Sequence, residues 1–410
     1  MYPAVLPLKT QYQIGDEILQ DRLKTLLPAL MKECGVNLWL VICREYNEDP
    51  VFKTLVPALV KNAARMSCLA FAMEKGRLRA INLGRPNPRL APYYEQGYDP
   101  KTEDQWDAIA AVINRYGGTA AVNFSEDCAM ADGLSSVLYN ELKAHLPKDA
   151  MLVSAENLAV RWLETRSVRE LEWYQEIYAV AMGILEDAYS RNVIHPGVTT
   201  TTDVENYIMQ RINSLGLGAW FSPDVDLQRR GSSEPRMTEA VIDGGDLLHT
   251  DMGISYLGLY TDTQRLAYVL REGETEIPDG IRRGFERGLR FQDIVGEQFV
   301  ENRSGNEILR LSLNKGRAEN LRPMVYSHPV GVYGHAAGPC IGLFDNQHSV
   351  PGSGENRLHD NTCFALELNV IEAVPEWDSQ DVWFMLEETT VYTGGKLQFV
   401  GAGRDRIYLI

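Results

Sequence analysis

Cysteine is sparse and unpaired in this 410-residue chain. Cys34, Cys43, Cys68, Cys128, Cys340 and Cys363 are scattered, with no Cys-x-x-Cys spacing. That excludes a disulfide framework and a thiolate zinc site, and it reads as free thiols of a reducing compartment. Long apolar runs are also missing, for none approaches the roughly 20 residues that a membrane-crossing helix needs. The opening Met-Tyr-Pro-Ala-Val-Leu-Pro-Leu-Lys-Thr lacks the basic and apolar stretches of a leader peptide. A cytoplasmic protein without a membrane partner is therefore expected. Basic residues are in deficit: 40 Lys and Arg against 56 Asp and Glu, a formal charge of −16. Nucleic acid is not an expected partner, because phosphate binding needs clustered Lys and Arg. Low-complexity stretches are absent too, and a hydrophobic content of 45% is enough for full cores.

The length exceeds one ordinary domain, so two are expected. Residues 14–33 have amphipathic helical spacing, and 36–43 read as a buried strand. Strand-like runs at 68–72 and 78–83 flank Glu74-Lys75-Gly76, a hairpin signal. Helices are expected at 104–115 and 133–145, with strands at 119–124 and 150–153. These elements make an α/β domain over residues 1–164. A second domain, 165–410, opens at Ser167-Val-Arg-Glu170, a capping box before a helix reaching about residue 191. Thr202-Asp-Val-Glu205 and Ser304-Gly-Asn-Glu307 read as further capping boxes. Beyond residue 221 the pattern turns to strands, interrupted by helices near 278–300 and 304–318.

Chemistry concentrates in the second domain. Asp251 and Asp262 lie eleven residues apart on a hairpin-like stretch. His328, Glu367 and Glu387 each lie inside or beside an apolar, strand-like run. Carboxylates buried without partners are costly, and are normally protonated, paired or bound to metal. Two divalent cations would balance four negative charges, which favours a two-metal hydrolytic site. A tight connection through Gly253 and Gly258 could set Asp251 opposite Asp262. A second hairpin carrying Glu367 and Glu387 could then face the first and complete a cage. One imidazole with four carboxylates favours manganese, cobalt or iron over a thiolate-type zinc site, with zinc itself also open.

The order and spacing of these residues resemble the Xaa-Pro aminopeptidase and prolidase family of pita-bread metallopeptidases, relatives of creatinase and methionine aminopeptidase. The resemblance implies an α/β N-terminal domain and an α+β pita-bread catalytic domain. It implies two divalent ions, most simply Mn2+, with Asp262 and Glu387 bridging them. Asp251 would hold one ion, and His328 with Glu367 the other, and a hydroxide shared by the metals would be the nucleophile. His335, seven residues after His328, would contact substrate and stabilise charge on the scissile carbonyl, while Glu367 would also shuttle a proton. A strand threonine (Thr393) six residues after Glu387 favours Glu387 over Glu388 as the ligand. The implied activity is release of an N-terminal residue from short peptides, Xaa-Pro foremost, by a homodimer.

The chain also departs from that family. No histidine occurs in Arg230-Gly-Ser-Ser-Glu-Pro-Arg236, where the family usually supplies one. Met385 stands where an arginine is common, which leaves dipeptide carboxylate recognition open. His249 shares a strand face with Asp251 and reads as a hydrogen-bonded core histidine, or else as a replacement for the missing one. His348 and His359 fall in a loop expected at the entrance. Trp220-Phe221 could wall a pocket or simply pack. A peptidase restricted to dipeptides, a creatinase-like carbon–nitrogen hydrolase and a non-catalytic scaffold are the alternative functions.

Overall fold

The computed structural model describes residues 3–410. Contacts divide the chain between Leu163 and Glu164. One unit is 6–163; the other is 164–410 together with residues 3–5. In the first unit six strands form one sheet: β1 (Leu38–Arg44), β2 (Met66–Glu74), β3 (Arg77–Asn82), β4 (Glu95–Gln96), β5 (Thr119–Val122) and β6 (Met151–Ser154). Their spatial order is β4-β3-β2-β1-β5-β6. β1 is the continuous apolar run Leu-Trp-Leu-Val-Ile-Cys, buried on both faces as a central strand must be. Lys75 and Gly76 both take positive φ, 51° and 77°, the geometry of a type I′ turn, and so join β2 to β3. Helices Gln105–Arg115 and Ser136–His145 start at Asp104 and Ser135, whose side chains accept from Trp106 N and Leu138 N. Their apolar faces meet Leu38, Leu40, Ile42, Ala70 and Ala72. The first helix starts at Leu8, earlier than its apolar spacing implies, and runs through a wide π-type turn to Glu33.

The second unit holds a three-stranded and a nine-stranded sheet. Its strands are β7 (Gly218–Ala219), β8 (Asp224–Gln228), β9 (Leu247–Met252), β10 (Ile254–Tyr256), β11 (Leu259–Tyr260), β12 (Thr263–Tyr268), β13 (Pro323–Val325), β14 (His328–Pro329), β15 (Thr362–Val374), β16 (Gln380–Thr393), β17 (Lys396–Phe399) and β18 (Tyr408–Leu409). The large sheet runs β13-β15-β16-β12-β9-β8, with β14 beside β15, β17 beside β16 and β18 beside β12. Along β15 and β16 the two-residue alternation sends Phe364, Leu366, Leu368, Val370, Phe384 and Leu386 into a core with Phe285 and Phe291 of helix Asp279–Gly296. Glu367, Asn369, Met385 and Glu387 therefore share the opposite face.

The capping boxes at Ser167/Glu170 and Ser304/Glu307 both form. The third expectation is corrected. The helix Thr201–Ser214 is capped by Thr200 with Asp203, not by Thr202 with Glu205. Four consecutive threonines offer competing caps, and Thr200 wins because Asp203 stands three residues on. Glu205 instead accepts from the Val225 amide.

Helix Asp279–Gly296 approaches the sheet through a glycine stripe. A methyl group on Gly284 would stand 2.1 Å from the Phe384 ring. Glycine costs about 1 kcal/mol against alanine in a helix, whereas forcing extra atoms into a packed core costs about 1–3 kcal/mol or more. The steric effect should win. Gly284→Ala is expected to lower the urea midpoint of unfolding, and an unchanged or raised midpoint would refute this packing account.

Candidate metal centre

The site is a row of side chains across the large sheet. Backbone pairing sets Asp224 opposite Asp251, Asp251 opposite Gln264, Gln264 opposite Glu387, and Glu387 opposite Glu367. Two expectations need correction here. Asp251 does not face Asp262, because the segment after Gly253 leaves the sheet as the hairpin β10–β11, which pairs with β7. Leu257 and Gly258, at φ 57° and 77°, make its turn. Asp262 thus enters two residues before Gln264, on the same face. Nor do two hairpins face each other, since β9, β12, β16 and β15 lie side by side in one sheet.

Hydroxyls lock the backbone at two of these residues. Thr389 Oγ1 accepts from the Asp262 amide at 3.1 Å and donates to its carbonyl at 2.9 Å. Ser327 Oγ does the same at Glu367, donating to its carbonyl at 2.8 Å and accepting from its amide at 2.9 Å. That clamp brings His328, the next residue, onto the site, where β14 sets it opposite Ala365.

Two overlapping groups of donor atoms result, each within 4.8 Å: Asp262, His328 and Glu387, and Asp251, Glu367 and Glu387. All five residues with the expected ligand identities therefore converge, and Glu387 belongs to both groups. His328 Nε2 lies 3.5 Å from Asp262 Oδ2 and 4.0 Å from Glu367 Oε2. Its Nδ1 hydrogen points to the Pro329 carbonyl at 3.0 Å, which leaves the Nε2 lone pair facing the carboxylates. Burial pushes the His328 pKa down to about 4, so the ring is neutral.

The carboxyls are under the opposite pressure. Burial raises Asp251, Asp262, Glu367 and Glu387 well above the usual carboxylate range. At Asp251, Glu367 and Glu387 the neighbouring acids raise it further. Among the described residues no hydrogen-bond donor reaches Asp251 Oδ1, Asp262 Oδ1 or either oxygen of Glu387. Orphaned buried oxygens beside a neutral imidazole lone pair fit divalent cations, which would supply the missing positive charge.

His335 stands against His328, ring centroids 4.4 Å apart, and burial holds its pKa down at about 4. Trp220 packs on the other side, 5.1 Å from His335 and 4.4 Å from Phe221. The Trp220-Phe221 pair is half-buried and flanks the site. Gly253 permits this, since a Cβ there would stand 2.1 Å from Trp220 Nε1. Glu388 points away from the site, ion-paired with Arg265 at 2.8 Å and accepting from the Tyr178 hydroxyl. His348 is exposed, and His359 lies 3.8 Å from Glu301.

His249 is buried and hydrogen-bonded, with Nδ1 2.9 Å from Asp226 and Nε2 3.0 Å from Gln264 Oε1. It is a core histidine and does not replace the missing rim histidine. Gln264 itself escaped the sequence reading. Its Nε2 lies 2.6 Å from Glu367 Oε1 and 3.4 Å from Asp251 Oδ2. The signal was present, because Gln264 is two residues from Asp262 on a strand of known alternation.

A pH dependence follows from the raised carboxyls. Each keeps a proton in the folded, metal-free protein that the unfolded chain releases near pH 4, so metal-free stability falls as pH rises above that range. Cations displace those protons, and their stabilising effect therefore grows with pH. The rise in Tm on adding manganese to chelator-treated protein should be larger at about pH 8 than at about pH 5.5. Equal rises would contradict the assignment of the buried acids.

Comparison with known proteins agrees with this geometry. Residues 172–398 match metallopeptidase family M24, over half of the chain. No curated protein matches. Among solved structures, an X-Pro aminopeptidase from Thermotoga maritima MSB8 superposes with a TM-score of 0.67 at 14% identity, over 93% of this chain and 100% of that one. An Xaa-Pro dipeptidase from Bacillus anthracis gives 0.59 at 16% identity, over 97% and 100%. The N-terminal domain of FACT complex subunit SPT16 from chickpea gives 0.57 at 12% identity, over 94% and 97%. At such identities the likeness carries the fold alone. Fold and family match together establish that this chain belongs to metallopeptidase family M24, as a hydrolase with an α/β N-terminal domain and a pita-bread catalytic domain.

Proposed function

We propose that the chain is a metal-dependent exopeptidase that hydrolyses the first peptide bond of short peptides, Xaa-Pro foremost. The observation that carries this reading is the convergence of four buried, charge-starved carboxylates with a neutral imidazole lone pair. Asp251, Asp262, His328, Glu367 and Glu387 would hold two divalent ions, manganese first among manganese, cobalt, iron and zinc. Bound there, the ions would supply Lewis acidity and an activated water.

The chain's own groups supply the rest. His335 is neutral and partly accessible, so it can donate a hydrogen bond to the scissile carbonyl oxygen without carrying charge into the site. Glu367, at 18% side-chain exposure against 5% for Asp262, is the carboxyl better placed to meet substrate. Once cations hold it ionised, its carboxylate would be placed to take a proton from the attacking water and pass it to the leaving amine. Trp220 and Phe221 form an apolar wall beside His335, suited to an uncharged side chain or ring. A homodimer acting on short peptides belongs to the same proposal. A scaffold without catalysis is less favoured, since a protein freed from metal chemistry gains nothing from crowding four acids into one buried site.

Manganese-loaded protein should release the first residue from Xaa-Pro dipeptides or Xaa-Pro-Xaa tripeptides, and a chelator should abolish release. His335→Ala should lower kcat by about 100- to 1,000-fold with metal content unchanged. Loaded protein that cleaves no di- or tripeptide would sink the proposal.

A further inference from the structure

Gln264 is buried in the row that carries the carboxylates, between Asp251 on one neighbouring strand and Glu387 on the other. Its amide nitrogen has two hydrogens, and two carboxylates lie against it: Glu367 Oε1 at 2.6 Å and Asp251 Oδ2 at 3.4 Å. With the carboxylates ionised, as cation binding requires, these oxygens only accept, which turns the nitrogen toward them and Gln264 Oε1 toward His249. His249 Nε2 donates to that oxygen at 3.0 Å and its Nδ1 meets Asp226 Oδ2 at 2.9 Å. Asp226 is itself gripped by Arg236, Nε to Oδ2 at 2.9 Å. One continuous chain therefore runs Arg236–Asp226–His249–Gln264 and ends on two carboxylates of the metal centre.

We propose that Gln264 is a positioning residue that holds one oxygen of Asp251 and one of Glu367, presenting the other oxygen of each to a divalent cation. The inference rests on the metal-centre reading and names a residue outside its ligand set. The remaining oxygens agree with the role. Among the described residues Asp251 Oδ1 has no donor, and Glu367 Oε2 faces His328 Nε2 at 4.0 Å. A neutral amide suits the task where a Lys or Arg would not, because a cation there would satisfy the carboxylates and repel the metal. His249, Asp226 and Arg236 keep the amide from rotating, so the two carboxylates need not be ordered when the ion arrives.

The test is calorimetric titration of chelator-stripped, full-length protein with manganese chloride, alongside thermal unfolding of the metal-free forms. Gln264→Met keeps the length of the side chain and removes both donors. At least one manganese-binding step should weaken by about 10- to 100-fold in the folded variant. Asp226→Asn, which loosens the far end of the chain without touching a carboxylate of the centre, should weaken the same step by less. A structural role alone would lower the metal-free Tm and leave the affinity of the folded protein unchanged, and that result overturns the proposal. Tighter binding in Gln264→Met also overturns it, since the amide would then compete with the metal. If Gln264→Met does not fold, Gln264→Ala, which also removes both donors, carries the same comparison. Wild-type protein that binds no manganese would instead sink the metal-centre reading, whatever the variants do.

Discussion

Four carboxyl groups packed into neighbouring positions of one buried sheet face repel each other, and the rest of the catalytic unit is arranged around that repulsion. Two unit charges about 4 Å apart cost about 4 kcal/mol at an effective dielectric of about 20. Without a counter-charge Asp251, Asp262, Glu367 and Glu387 can share the site only by retaining protons, which is the direction in which burial moves all four. A fold selected for stability alone would place apolar residues there. Hydroxyl clamps at Asp262 and Glu367 instead fix the backbone so that the acids cannot swing away from one another.

Glu387 and Glu388 make the point by contrast. Adjacent in the chain and both buried, they point to opposite faces of β16. Glu388 receives Arg265 at 2.8 Å and the Tyr178 hydroxyl at 2.7 Å, a satisfied buried network of the kind that serves architecture. Among the described residues Glu387 receives no such donor, and the groups that press on it are other acids, Asp262 and Glu367. Burial alone does not separate a structural acid from a functional one; the partners do.

The same contrast explains what could be read from the chain. Asp251, Asp262, His328, Glu367 and Glu387 stood out because ionisable residues interrupt apolar strand patterns, and such interruptions are visible in any linear sequence. Pairing register is not. Asp251 meets Gln264 rather than Asp262 because residues 253–261 fold into a separate small sheet, and no local pattern announces that excursion. Arg265 and Glu388 are 123 residues apart, and their ion pair depends on β12 and β16 being neighbours. Helix starts depend on nearer information, and Ser167 and Ser304 were legible for that reason. At Thr200 the information was local but degenerate, since four threonines competed for one cap.

Gln264 shows where the two kinds of information meet. A glutamine two residues from Asp262 on one strand face is only a weak chemical signal, because amides are poor ligands beside carboxylates. Its importance comes from the register, which sets it between Asp251 and Glu387 and within reach of Glu367. An amide is the neutral group that can offer a hydrogen to each of two acids and still accept one from His249. The charge that offsets the row is thereby left to arrive from outside. Arg236, at the far end of this chain of contacts, is committed to Asp226 and Asp224, the latter at 3.1 Å. His249 and Arg236, the cationic groups on this chain of contacts, are both engaged by Asp226, so the four acids still lack the charge that bound cations would bring.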